Sequence, residues 1–163
     1  MLIALEFVAA SNWFGPYFSF GLPIYIRHAG THPGAEPSAQ ALEQLMQNRP
    51  NTPRVRFKAI APRLTAFREA FFESGNRIRY LPVMHSAVSF DLERGGMTIT
   101  GYLNWYVLFI LVYMLLRSLD EPAFILVAVL IVVVLGLSYL MQWGINHAVT
   151  TALSVDPHDP ASS

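Results

Sequence analysis

The chain has 163 residues, no cysteine, and eleven Lys+Arg against eleven Asp+Glu. Hydrophobic residues make up 53% and charged residues 13%, against a globular norm of roughly 25% charged. These figures exclude a disordered chain, a disulfide scaffold and a wholly basic nucleic-acid binder, and they point to an integral membrane protein. Residues 27–100 hold ten of the eleven cations and six of the eleven acids. A neutral protein is therefore a basic middle between apolar ends.

Residues 2–27 form the first apolar stretch, interrupted by Glu6, Asn12, Gly15-Pro16, Gly21 and Pro23. Its length predicts a transmembrane helix, kinked at Pro16, with an interfacial or re-entrant segment as the alternative. The stretch lacks a cationic start and a small-residue cleavage site, which argues against a signal peptide. Glu6 lies near the beginning, where it can reach the interface beside the terminal amine.

Residues 28–53 read as a linker with one short amphipathic helix. Ser38 is its expected N-cap, with Ala39, Leu42, Leu45 and Met46 on one face. Residues 54–101 read as a small α+β unit of the β-α-β-β type. Strict alternation in 54–60 puts Arg54, Arg56 and Lys58 on one face and Val55, Phe57 and Ala59 on the other. Pro62 is expected to open a helix carrying Leu64, Phe67 and Phe71, closed by Gly75. Arg77 and Arg79 alternate with Ile78 and Tyr80 in a further strand. Residues 83–91 and 97–101 suggest a hairpin turning at Glu93-Arg94-Gly95-Gly96.

Residues 102–143 read as a transmembrane helical hairpin. The first run is apolar from Tyr102 to Arg117, with Asn104 its one strongly polar interior residue. The second, 122–141, carries no charge and would measure ~30 Å as a helix, one hydrocarbon core. Ser118-Leu119-Asp120-Glu121 is too short a link for anything but an antiparallel hairpin. Residues 144–163 read as a tail with a disordered end. The expected fold is thus three transmembrane helices with an α+β unit between the first and second. The Lys/Arg bias places residues 28–100 and the C-terminus on the cytoplasmic side, in a bacterial inner membrane.

No phosphate-binding or nucleophile-elbow motif occurs, and without cysteine a thiolate metal site is impossible. His85, Ser89 and Asp91 share a strand face, but strand rise spreads them ~13–20 Å apart, too far for a triad. They read as a solvated polar face. Asn104 and Gln142 read as interhelical or interfacial hydrogen-bonding groups. No cofactor is expected. The candidate site is one cationic surface: Arg54, Arg56, Lys58, Arg77 and Arg79. Beside a cytoplasmic leaflet it suits anionic lipid headgroups or an acidic partner, and no aromatic residues interleave it as nucleic-acid binding would require. The sequence therefore reads as a non-catalytic accessory or scaffold subunit of a larger membrane complex. A small enzyme working at the membrane–cytosol boundary and a transport component are the alternatives.

Overall fold

The structure is a computed structural model, and it describes residues 2–30, 37–48, 54–69, 82–91, 93 and 95–154. Two helices, α1 (Leu2–Ser11) and α2 (Gly15–Ser19), lead into strand β1 (Leu22–Gly30). Helix α3 (Ala39–Gln47) follows, then β2 (Val55–Ala61), β3 (Leu64–Glu69), β4 (Met84–Asp91) and β5 (Gly96–Leu103). The chain ends in two long helices, α4 (Trp105–Asp120) and α5 (Phe124–Leu153). The five strands form one antiparallel sheet in the order β1-β5-β4-β3-β2.

One face of the sheet is the main core. Register aligns Tyr25, Gly101, Ser86, Phe67 and Phe57 in a row across all five strands. Phe57, Phe67, Val88, Phe90, Met97 and Ile99 are buried on this face. Two helices cover it: α3 through Leu42 and Met46, and the last turns of α5 through Val149 and Ala152. Ser38 caps α3 as expected, its hydroxyl accepting the Ala41 N–H at 3.2 Å. The edge strand β2 is closed by Glu43 of α3. One oxygen of that carboxylate accepts the Phe57 N–H and the other Arg56 Nη1, both at 2.9 Å. An edge N–H engaged this way is unavailable to a foreign strand.

The second face is partly covered by α2, whose Phe18 is fully buried and meets His85 edge-on at 5.8 Å. Covering on both faces explains β3. Thr65, Ala66 and Phe67 are buried in succession, so the segment lacks the alternation that marks a half-buried strand. The helix expected from Pro62 is thus corrected. Pro62-Arg63 is a two-residue hairpin turn, with Arg63 in the left-handed region at φ 62, and Leu64–Glu69 is a strand paired to β2 and β4. The remainder of that expected helix and the strand at 77–81 lie outside the described residues.

The first apolar stretch is also corrected. It is not one kinked helix: α1 and α2 are short, and residues 22–30 join the sheet beside β5. Pro16 falls in the first turn of α2, where its missing N–H is harmless. Trp13 turns the chain between the helices in the left-handed region, at φ 55. The expected α+β unit is therefore an antiparallel sheet completed by a strand from the N-terminal segment.

The hairpin of 83–91 and 97–101 is present as β4 and β5. Helices α4 and α5 pack antiparallel around Tyr106, Val107 and Leu135. Helix α5 runs unbroken through 143–144, where the sequence suggested a boundary, and its end lies on the sheet. At 1.5 Å per residue its 30 residues reach ~45 Å. It is the one helix among the described residues that is long and apolar enough to cross a membrane. Helix α4, with 16 residues, is shorter, and three membrane-spanning helices are not found among the described residues.

Candidate functional site

The most concentrated chemistry lies where the helical hairpin leaves the sheet. Glu6, His85, Asn104, Gln142 and Asn146 are all buried there, contributed by α1, β4, the residue before α4, and α5. Asn104 is the hub. It precedes α4, and its side chain turns away from the helix instead of capping it. Its Oδ1 accepts the Tyr17 hydroxyl at 3.0 Å and His85 Nδ1–H at 2.8 Å. Its Nδ2 donates to the Pro82 carbonyl at 2.6 Å, and the Tyr106 hydroxyl donates to the same carbonyl.

The missing cap of α4 comes from far away in sequence. Glu6 Oε1 accepts the Tyr106 N–H at 2.7 Å, so a carboxylate from α1 sits at the positive end of α4. Burial raises the Glu6 carboxyl above its ordinary range, and the backbone N–H groups of Tyr106 and Trp105 oppose that shift. The other oxygen, Oε2, is buried with no hydrogen-bond partner.

His85 is enclosed by aromatic rings. Tyr17 stacks on it at 4.1 Å, and Tyr102 lies at 5.5 Å. Burial depresses its pKa to about 4, with the Asn104 bond acting the other way. The imidazole is neutral at physiological pH, and Nδ1 carries the proton that Asn104 accepts. Burial also pushes the Tyr17 phenol up, which keeps it a neutral donor.

On the core side, α5 contributes a stripe at helical spacing: Leu135, Ser138, Gln142, Asn146, Val149. Gln142 Oε1 accepts two successive backbone N–H groups, Val83 at 2.9 Å and Met84 at 2.8 Å. These are the residues that enter β4. Tyr25 and Thr150 bond through their hydroxyls at 3.0 Å, tying β1 to the same helix. Gly101 lets the helix approach, since a Cβ there would meet Met84 Sδ at 3.0 Å and Asn146 Nδ2 at 3.3 Å. The cluster thus acts chemically as a joint, satisfying backbone groups at the helix–sheet junction and fixing the hairpin's direction.

The sequence-derived cations fall elsewhere. Arg54 is exposed immediately before β2, and Lys58 is exposed on the face opposite Val55 and Phe57. Arg56 pairs with Glu43 at 2.9 Å and stands opposite Arg68 in the β2–β3 register. Arg68 donates to the Ala10 carbonyl at 2.6 Å and lies over the Trp13 ring at 4.4 Å. Arg77 and Arg79 lie outside the described residues. His85 does not share the solvated setting of Ser89 and Asp91: it is buried while they are exposed. Glu6 does not reach outward but turns in. Sequence reasoning singled out Asn104 and Gln142 without their partners and passed over Tyr17 and Asn146. The signal for Asn146 was present, as Ser138, Gln142 and Asn146 recur every four residues in an apolar run. Among the described residues no group of three His, Asp or Glu side chains could hold a metal ion.

Comparison with known protein families, curated proteins and solved structures finds no match to this chain.

Proposed function

We propose that this chain is a membrane-anchored, non-catalytic accessory subunit. In this reading α4 and α5 insert as a hairpin, and the sheet domain sits at the cytoplasmic face of a bacterial inner membrane. The observation that carries it is the hairpin surface. Only 11% of the most apolar window of α5 is buried, and Leu126, Leu130, Leu137 and Leu140 are exposed along it. Helix α4 likewise exposes Phe109, Val112, Leu115 and Leu116. A contiguous apolar surface of this extent is stable against acyl chains or apolar protein and unstable in water. The first 18 residues of α5 reach ~27 Å, close to a hydrocarbon core.

The polar joint supports an accessory role over a catalytic one. Asn104 has both its oxygen and its nitrogen engaged, Gln142 holds two backbone N–H groups, and Tyr17 closes over His85. Such groups orient a domain rigidly on its anchor. The exposed cations Arg54 and Lys58, with Arg56 beside them, suit anionic headgroups or an acidic subunit. The enzyme reading draws on one observation, the convergence of Glu6, Tyr17 and His85 at the hairpin's base.

Native electrophoresis of membranes solubilised in mild detergent tests the accessory role. The chain is expected in a band well above its own mass that contains at least one other polypeptide. Migration as a lone monomer at native expression levels contradicts it.

A further inference from the structure

Helix α1 is inside out by the standards of a water-soluble surface. Its only charged residue, Glu6, is 7% exposed and points at the start of α4. Its outward side chains include Leu5 and Val8, 56% and 55% exposed. Ten residues give a helix of ~15 Å, half of what a hydrocarbon core demands, so α1 cannot cross a bilayer.

Its position is fixed at two points. Glu6 holds it to the first turn of α4, and the Ala10 carbonyl is held by Arg68. The first turn of α4 is where the hairpin departs from the sheet. Trp105 and Trp143 both lie at the foot of the hairpin, where Gln142 accepts the Val83 N–H and the Val83 carbonyl accepts the Asn104 N–H; indoles favour the bilayer interface. Around this level the exposed apolar surface continues. Phe20 stacks on Trp105 at 6.1 Å, Phe14 is exposed beyond α1, and Leu22 is exposed opposite Leu103 in the sheet register. The apolar face of α1 is thus continuous with the foot of the hairpin.

We infer that α1 and the turn after it form a second membrane contact, lying in the interfacial layer of the same leaflet the hairpin enters. Leu5, Val8, Phe14 and Phe20 reach the headgroup–acyl boundary, the depth at which apolar faces of interfacial helices rest. The buried carboxylate and the exposed leucine and valine both follow from this placement. The contact holds the sheet domain down against the bilayer at a fixed tilt. The inference rests on hairpin insertion, and the test separates the two.

The chain has no cysteine, so single thiols can be introduced without removing any. Val8→Cys and Phe20→Cys report on the proposed contact, Val132→Cys on mid-hairpin depth, and Ser89→Cys on the exposed sheet. Each full-length variant carries an environment-sensitive fluorophore in liposomes that contain lipids with a doxyl quencher near the headgroup or near the chain end. The Val8 and Phe20 probes should lose emission chiefly to the shallow quencher, Val132 chiefly to the deep one, and Ser89 to neither. Val8 and Phe20 probes as unquenched as Ser89, with Val132 still quenched, overturn the inference and leave the anchor standing. An unquenched Val132 probe overturns both.

Discussion

Glu6 and Tyr106 are 100 residues apart in sequence, and the carboxylate of the first accepts the backbone N–H of the second at 2.7 Å. The bond makes α1 the cap of α4 and links the N-terminal segment to the base of the hairpin. Replacing a capping side chain by alanine costs about 1 kcal/mol in ordinary helices. Glu6→Ala should lower the unfolding midpoint in detergent micelles. Glu6→Gln keeps a carbonyl acceptor and removes the buried charge. Because burial raises the Glu6 pKa, the fold favours the protonated form. Its contribution is therefore full below the unfolded value of 4.5 and declines as pH rises through the folded value. At neutral pH Glu6→Gln should be at least as stable as the parent. Equal loss in both variants would refute this assignment.

His85 gives the opposite slope. Its folded pKa is depressed to about 4 from 6.5, so the unfolded chain binds a proton that the folded chain resists. Stability from this group is present above pH 6.5 and declines as pH falls toward 4. His85→Gln should flatten the stability profile in that window. An imidazole that titrates near 6.5 by NMR in the folded protein would contradict the buried, neutral assignment.

Gln142 accepts two successive buried N–H groups, those of Val83 and Met84, at the entry to β4. Leaving a buried donor unsatisfied costs about 1–3 kcal/mol. Gln142→Leu should therefore destabilise by at least that much, with the loss centred on one place. Amide exchange at Val83 and Met84 should accelerate more than at Ile99 in the middle of the sheet. Uniform acceleration would mean the glutamine supports the fold generally and is not the joint.

The sequence carried some of these features plainly. Alternation and the Gly95-Gly96 turn made the β4–β5 hairpin legible, and Ser38 with Leu42 and Met46 made α3 legible. Strand β3 was hidden because both of its faces are covered, which erases period-two alternation. Strand β1 was hidden in a run apolar enough to resemble a membrane helix, although Tyr25, Arg27 and Ala29 share one parity and Ile24, Ile26 and His28 the other. Glu6, Asn104 and Gln142 stood out as polar residues in apolar runs. Their partners did not, because Tyr106, Tyr17 and Val83 are brought to them only by the sheet topology. The alternation of Val55 and Phe57 with Arg56 and Lys58 on β2 was legible, but sequence could not assign Glu43 to Arg56.

The proposed orientation of the hairpin, with the sheet domain cytoplasmic, is read from the placement of the cations and can be tested directly. With the sheet domain cytoplasmic, an exposed cysteine at Ser89→Cys should react with an impermeant maleimide only after the cells are opened. Labelling in intact cells would reverse the topology while leaving the hairpin in place.

The central claim is that α4 and α5 lie within a bilayer, and alkaline carbonate extraction addresses it most directly. Carbonate strips peripheral proteins from membranes and leaves spanning segments in the pellet. The full chain should remain in the pellet. Val132→Arg places a cation near mid-hairpin, at about 2.5–3.5 kcal/mol on insertion scales, and should shift a measurable fraction to the soluble phase. Complete release of the unaltered chain into the carbonate supernatant would contradict the account.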